Sequence, residues 1–345
     1  MTNSRGKITT GKVSPELLEK YVFTRLGVHD RSIVLGPSYG EDAALIRISD
    51  NRVLVVHSDP ITAAEKLIGW LSVHVACNDV AVRGAKPRWL LPVLLLPEEA
   101  PVELLDEITR QIDSAAKEVG ASIVGGHTES APGLSRPIIS MTAIGVVDES
   151  RVVLTRNAKP GDLLIMTKYA GLEGTAILAS DFRDELLEKG VEVEVIEEAQ
   201  DYIKSISVVP EAVRLAEEEL VTAMHDPTEG GVLGGVAELA YASRTSIKVY
   251  EEKIPLTSAT RIITNVLGVD PLKLISSGVL IATTPRKYID RVLDVLREVG
   301  VNVSIIGEVV SRHYPGRVVY VEKSGRVVEL PRQVVDEIYR IYNKE

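Results

Sequence analysis

The chain has 345 residues, 45% hydrophobic and 26% charged, with a net charge of −10. Its length suits two domains with separate cores, expected at 1–155 and 156–345. No apolar run approaches the roughly 18 residues that span a bilayer, no basic cluster suits nucleic acid, and the polar segment 1–12 is no secretory signal, so a cytoplasmic location is expected.

One cysteine, Cys77, excludes an internal disulfide and a multi-cysteine zinc site. The scarcity of Phe, Cys and Met beside abundant Val, Ile, Leu, Glu and Arg points to a thermophile, although ordinary compositional fluctuation explains it equally well.

Residues 1–12 lack periodicity and read as a mobile arm carrying Lys7 and Lys12 among glycines. After Ser14-Pro15, apolar residues at helical spacing predict a helix to Leu26. Ala43–Ile48 and Arg52–Ser58 read as strands joined by a tight turn. A long helix is expected over about Ala63–Arg83, then a strand at Trp89–Leu96 and a helix at Pro101–Val119 closed by Gly120. Strands follow at Ser122–Val124 and Pro137–Val147. This order describes an α+β layer with helices on one face. It is not a dinucleotide fold, because neither a Gly-x-Gly-x-x-Gly turn after a first strand nor a Walker A sequence is present.

Asn157-Ala158-Lys159-Pro160-Gly161 is a turn-rich link. Beyond it the pattern predicts a strand at Leu163–Thr167 and helices from Gly174 and from Val193 to Leu220. A helix at Gly231–Ala242 and strands at Ser246–Tyr250 and near Gly278–Thr284 follow. The last elements are a helix at Pro285–Val299, strands at Asn302–Val310 and Arg317–Glu322, and a helix at Pro331–Tyr342 with an apolar stripe of Val334, Val335, Ile338 and Ile341.

Acidic and glycine turns punctuate these elements. Asp42 follows Gly40-Glu41, Asp59 closes a strand, and Asp79 lies beside Asn78 near the end of the long helix. If the two strands pair and the helix packs over them, three carboxylates reach one pocket, a donor set suited to Mg2+. Singly, each has a plain alternative: a turn acceptor, a helix cap or a surface charge. His74 reads as a helix-packing histidine. Gly125-Gly126-His127-Thr128-Glu129 offers close backbone approach and exposed amides. His225-Asp226-Pro227-Thr228-Glu229-Gly230-Gly231 makes a helix start of the kind that suits phosphate, or simply a capped helix. Cys77 lies in an apolar helix and reads as an inert buried thiol.

This order of motifs, from about Gly11 to Val310, resembles the aminoimidazole ribonucleotide (AIR) synthetase superfamily, and within it the HypE hydrogenase-maturation branch. The resemblance implies a two-domain α+β fold, an N-terminal sheet domain that dimerises plus a C-terminal α/β domain. It implies ATP and Mg2+, with Asp42, Asp59 and Asp79 as metal ligands. Lys12, Gly125, Gly126, Thr128, Asp226 and Thr228 would then face the nucleotide, and His127 and Glu129 are candidate acid–base groups. The implied reaction is ATP-dependent activation of an amide or carbonyl oxygen on an unknown small-molecule or protein substrate, carried out by a homodimer. Hydrogenase maturation with a thiol supplied in trans, or a nucleotide-binding scaffold without catalysis, are the alternatives. The pattern departs from the branch in three places. His127 and Glu129 stand where the branch usually has Asp and Lys, His127 being similar to the selenophosphate synthetase branch. The residues Tyr342-Asn343-Lys344-Glu345 carry no working cysteine.

Overall fold

The computed structural model of the protein describes residues 8, 11–62 and 66–342. The first half begins with a helical turn, α1 (Pro15–Leu17), that continues as a π-helical turn over Leu18–Val22. Then follow β1 (Ile33–Leu35), β2 (Ala44–Ser49), β3 (Arg52–Ile61), α2 (Ile68–Ala81), β4 (Pro87–Leu96) and α3 (Val102–Val119). The short strands β5 (Ser122–Ile123) and β6 (His127–Ser130) and the long β7 (Ile138–Asp148) complete it.

These strands form one sheet in the order β1-β2-β3-β7-β4-β5, with β6 also paired to β4. Inward and outward residues alternate without a break along β7, so Ile139, Met141 and Ala143 face the core. Helices α2 and α3 pack together, and α2 lies on β3 and β7. The helix α2 is apolar around its whole circumference because the second half covers its outer side.

The second half runs β8 (Leu163–Thr167), α4 (Leu172–Asp181), α5 (Arg183–Glu188), α6 (Val193–Asp201) and α7 (Val209–Glu217), then β9 (Ala223–His225), α8 (Gly231–Ser243) and β10 (Thr245–Tyr250). It continues with α9 (Ser258–Leu267), β11 (Ile281–Thr284), α10 (Ile289–Glu298), β12 (Val303–Arg312), β13 (Arg317–Val321), β14 (Val327–Glu329) and α11 (Ile338–Tyr342). Its sheet order is β14-β13-β10-β12-β8-β11-β9. The α+β, two-sheet architecture is the expected one. One apolar cluster runs across both halves, joining Val73, Ala76 and Val80 of α2 to Ala212 and Leu215 of α7 and Leu280 beside β11. Each such buried side chain contributes on the order of 2 kcal/mol, so the two sheets share a core. No helix among the described residues is long and apolar enough to cross a membrane.

Several expected elements differ. The helix expected from Val193 to Leu220 is α6 and α7, separated by a 3-10 turn at Tyr202–Ser205. Pro210 lies in the first turn of α7, where its missing N–H costs least. The Asn78 side chain donates to Ile206 O and accepts from Val208 N, both at 2.8 Å, which holds the break open. The helix expected at Pro331–Tyr342 is regular only from Ile338. Asp336 is the reason: Oδ1 accepts Ile338 N and Oδ2 accepts Gly230 N, so the preceding chain is pinned outside a helix. Val335, placed on the apolar stripe, is exposed, while Ile338 and Ile341 are buried. The first helix ends at Val22, short of Leu26. The expected start of the long helix, 63–65, lies outside the described residues. The helix α9, capped by Thr257 accepting Thr260 N, and the short strands β1, β6, β9 and β14 were not foreseen.

Candidate functional site

A cavity of about 580 Å³ lies between the two halves. The pairing of β2 with β3 sets Ala44 opposite Val56, so Asp42, two residues upstream, lies beside the His57–Asp59 end of β3. Leu71, Val75 and Asp79 follow one another at four-residue intervals on α2 and all line the cavity. The second half supplies Glu173 from α4, His225 and Asp226 from the end of β9, Thr228 and Glu229 from the following turn, Glu238 from α8, and Ser277. Lys12 and Tyr339 reach it from the two ends of the chain.

Charge dominates this site. The ligand atoms of His57, Asp59 and Asp79 all lie within 4.8 Å of one another, and His57 Nε2 stands 3.2 Å from Asp79 Oδ2. Burial, then the neighbouring Asp42, Asp59 and Asp226 carboxylates, hold the Asp79 carboxyl well above its ordinary range. Burial pushes Asp59 up to about 6, Lys12 opposing the rise. Burial lowers His57 to about 4, so its imidazole is neutral at pH 7 and free to act as a ligand. Asp226 is 2% exposed and neither carboxylate oxygen has a hydrogen-bond partner of normal geometry. Burial and Asp42 raise its pKa as well.

Beside this crowd runs a compensated chain of charges. Lys12 Nζ is 2.9 Å from Glu238 Oε1, Glu238 Oε2 is 2.9 Å from His225 Nε2, and His225 Nδ1 is 2.7 Å from Asp42 Oδ1. Burial opposes the ionised forms, but Asp42 and Glu238 hold the His225 imidazolium up to about 10. Lys12 and His225 hold Glu238 down to about 2 against its burial. The second oxygen of Asp42 accepts from Arg83 at 2.7 Å. Arg83, fully buried, also pairs with Glu41 and donates to Thr155 Oγ1 and Met224 O, each at 2.8 Å.

The uncompensated carboxylates fit a divalent cation. Asp59, Asp79 and Asp226 are hard oxygen donors, crowded enough to resist ionising together, and both Asp226 oxygens are buried without a hydrogen bond of normal geometry. An isolated buried carboxylate is costly, and a bound cation removes that cost.

Residues 40–147 match the family model described as AIR synthase related protein, N-terminal domain. Residues 159–319 match AIR synthase related protein, C-terminal domain. The chain belongs to the AIR synthase related protein family. Within it the chain is similar to HypE-type proteins. A Methanocaldococcus jannaschii protein named for hydrogenase expression/formation is 31% identical over 337 residues, covering 96% of this chain and 97% of its own. The Azotobacter vinelandii protein named carbamoyl dehydratase HypE is 32% identical over 249 residues, covering 71% of this chain and 70% of its own. A solved structure of hydrogenase maturation protein HypE in complex with ATP shares the fold, with TM-score 0.71 at 24% identity over 97% of this chain and 98% of that one.

This AIR synthase related chain brings Lys12, Asp42, Asp59, Asp79, Asp226 and Thr228 to one cavity. It does not bring Gly125, Gly126, His127, Thr128 or Glu129 there. Those residues lead into and form β6, an edge strand whose residues are all exposed. His127 Nε2 faces Glu129 Oε2 at 3.2 Å, away from the Asp cluster, so within one chain neither acts on a substrate in the cavity. Gly126 has a local structural reason: at φ 143° a Cβ would meet Pro92 O at 2.2 Å. Lys7 lies outside the described residues. Sequence reasoning missed His57, Arg83, Glu173, Glu229, Glu238 and Ser277. Period-two alternation on β3 was the signal available for His57, which shares a face with Asp59. Glu238 sits on α8 and its partners lie on other elements, His225 13 positions and Lys12 226 positions away, so it gave none.

Cys77 is fully buried, and burial pushes its thiol well above the usual range. In the folded protein it should resist iodoacetamide at pH 8, and Cys77→Ala should keep any ATP turnover within about twofold of wild type. Rapid native alkylation, read by intact mass, would contradict this placement.

Proposed function

We propose that this protein is a Mg2+-ATP-dependent enzyme that transfers the γ-phosphoryl group of ATP to an amide or carbonyl oxygen of an acceptor. The observation that carries this reading is the convergence of Asp42, Asp59, Asp79 and Asp226 on one cavity beside Lys12. That much buried negative charge has no structural use by itself, and a cation with a polyphosphate balances it. Asp59, Asp79 and Asp226 would hold the ion, which when bound neutralises charge on the phosphates. Asp42, already engaged by His225 and Arg83, would complete the acidic rim.

Lys12 is positioned by several groups. Its ammonium binds Glu238, its backbone N–H donates to Glu229 Oε2 at 2.9 Å, and its carbonyl accepts from Gln333. From there it offers a positive charge at the cavity mouth, where phosphate charge would grow during transfer. The turn after Asp226 is built for close approach. Gly230 and Gly231 have φ of 82° and 61°, and a Cβ on either would meet backbone carbonyl oxygens at 2.6 Å. This packs the start of α8 tightly, with the Gly230 N–H held by Asp336 and the Gly231 N–H by Thr228 O, so Thr228 and Glu229 are the residues of the turn that line the cavity. The relatives named for carbamoyl dehydration and the ATP complex of a HypE protein support the reading. If the chemistry is HypE-like, the thiol comes from another chain, because Cys77 is sealed in α2.

A homodimer belongs to the same proposal. Residues 122–130 are exposed along the β5–β6 edge, and unpaired strand edges invite a covering partner. A two-fold pairing there would bury the edge and the Gly125–Glu129 turn in an interface. Sedimentation equilibrium should give twice the chain mass, and a concentration-independent monomer would contradict it. Calorimetric titration with ATP, with and without Mg2+, tests the nucleotide assignment.

A further inference from the structure

The cavity is not acidic throughout. On α2 its lining runs from Leu71 through Val75 to Asp79. Eight residues of helix place Leu71 about 12 Å from Asp79 along the axis, so one end of the cavity is apolar and the other acidic. Ile61 and Ile275 add to the apolar lining, as does Ile177, one turn beyond Glu173 on α4. Two polar groups sit between these side chains and the acidic end, near enough for Glu173 to feel Asp59 and Asp226. Glu173 is 2% exposed, and its Oε2 accepts the backbone N–H of Ser277 at 3.0 Å. Ser277 is fully buried and lines the cavity, and its hydroxyl lies beside the Glu173 carboxylate without a hydrogen bond of normal geometry.

A buried hydroxyl held only by an imperfect contact to one carboxylate keeps capacity for a further hydrogen bond. A ligand would use it. The charges restrict what that ligand can be. Among the described lining residues Lys12 is the only lysine or arginine, and Glu238 already holds it. A phosphate ester or a carboxylate placed against Glu173 would meet a carboxylate with no lysine or arginine beside it, since the His225 imidazolium is already paired with Asp42 and Glu238. A nitrogen donor would satisfy Glu173, Ser277 would bond the adjoining polar atom, and an apolar body would cover Leu71, Val75 and Ile177.

We propose that Glu173 and Ser277 form the acceptor-recognition subsite, selecting a small, non-anionic molecule that carries an N–H donor on an apolar body. The acceptor role rests on the ATP-dependent reading above. The binding preference itself does not.

Ligand-observed NMR on the full-length protein, with and without Mg2+ and a non-hydrolysable ATP analogue, tests this with four probes sharing one five-carbon body. These are isovaleramide, isopentylamine, isovalerate and isopentyl phosphate. At least one nitrogen donor should bind about tenfold or more tightly than either anion. Glu173→Leu should reduce that preference to less than about threefold, as should Ser277→Ala, whose fold is the safer of the two. Glu173→Gln, which keeps an acceptor oxygen, should retain part of it. Equal or tighter binding of the anions, no binding of any probe, or an unchanged preference in both Glu173→Leu and Ser277→Ala would overturn the subsite. Failure of the ATP analogue alone would instead remove the phosphoryl-transfer reading and leave the nitrogen-donor preference to be read without nucleotide.

Discussion

Asp79→Asn should make the metal-free protein more stable while cutting its affinity for Mg2+-ATP by at least about tenfold. The two effects have one cause. Asp79 is buried among Asp42, Asp59 and Asp226, and its carboxyl is held well above the ordinary range by that burial and those charges. A carboxyl whose folded pKa exceeds its unfolded one contributes stability that is present at low pH and lost as pH rises through the folded value. At pH 7 such a group therefore weakens the empty fold. Asparagine keeps the shape and removes the charge. A gain of about 1–2 kcal/mol, or several degrees in melting temperature, is expected in EDTA. Asp59 gives the same sign over a definite window. Its pKa rises from 3.8 to about 6, so the metal-free protein should gain stability as pH falls from 7 to about 4.5. Excess Mg2+ should flatten that slope, because a bound cation holds the carboxylates ionised. Differential scanning fluorimetry across pH, with EDTA or Mg2+, reads both. A melting temperature that falls in Asp79→Asn, with affinity unchanged, would place the carboxylate in a purely structural role.

Arg83→Met should be among the most destabilising single changes in the chain, at about 3–5 kcal/mol. Arg83 is fully buried and pairs with both Glu41 and Asp42, whose side chains are 2% and 7% exposed. It also donates to Thr155 in the link between halves and to Met224 in β9, so one guanidinium fastens the first sheet to the second. Replacing a buried pair by apolar groups can be neutral, but removing one partner leaves uncompensated charge. Here Glu41 would keep Arg156 and Asp42 would keep His225, but one oxygen of each would lose its buried guanidinium partner. Arg83→Lys keeps the charge without the planar fork and should fall between. Asp42 would also lose the bond fixing one oxygen, so Mg2+-ATP affinity should drop in whatever fraction stays folded. Urea unfolding of both variants checks the order. A loss below about 1 kcal/mol for Arg83→Met would mean that Arg156 and His225 alone satisfy Glu41 and Asp42.

Neither Arg83 nor Glu238 announces itself in the sequence, and the reason is physical. Local periodicity reports which face of an element is buried, and it located β2, β3, α2, α3, β7, β8 and α8 well. The acidic turns stood out because carboxylates at strand ends make poor core residues. Long-range partners carry no such mark. Lys12 and Glu238 are 226 positions apart, and Arg83 at the end of an apolar helix looks like a solvated C-terminal charge. The Gly125–Glu129 turn shows the converse. Its glycines suggested a ligand, yet within one chain Gly126 is required by its approach to Pro92 on β4. The apolar stripe of the C-terminal segment predicts one helix, whereas Asp336 bonds Gly230 and Ile338 and interrupts it. Side-chain bonds of this kind override spacing and are invisible until the fold is known.

The central claim is that the buried carboxylates hold a metal–nucleotide pair. Isothermal titration of ATP into the wild-type protein and into Asp59→Asn, Asp79→Asn and Asp226→Asn tests it most directly. ATP should bind with about one site per chain when Mg2+ is present, at least about tenfold more weakly in EDTA, and at least about tenfold more weakly in each variant, all of which remain folded by circular dichroism. Unchanged ATP affinity in EDTA and in all three variants would contradict the account.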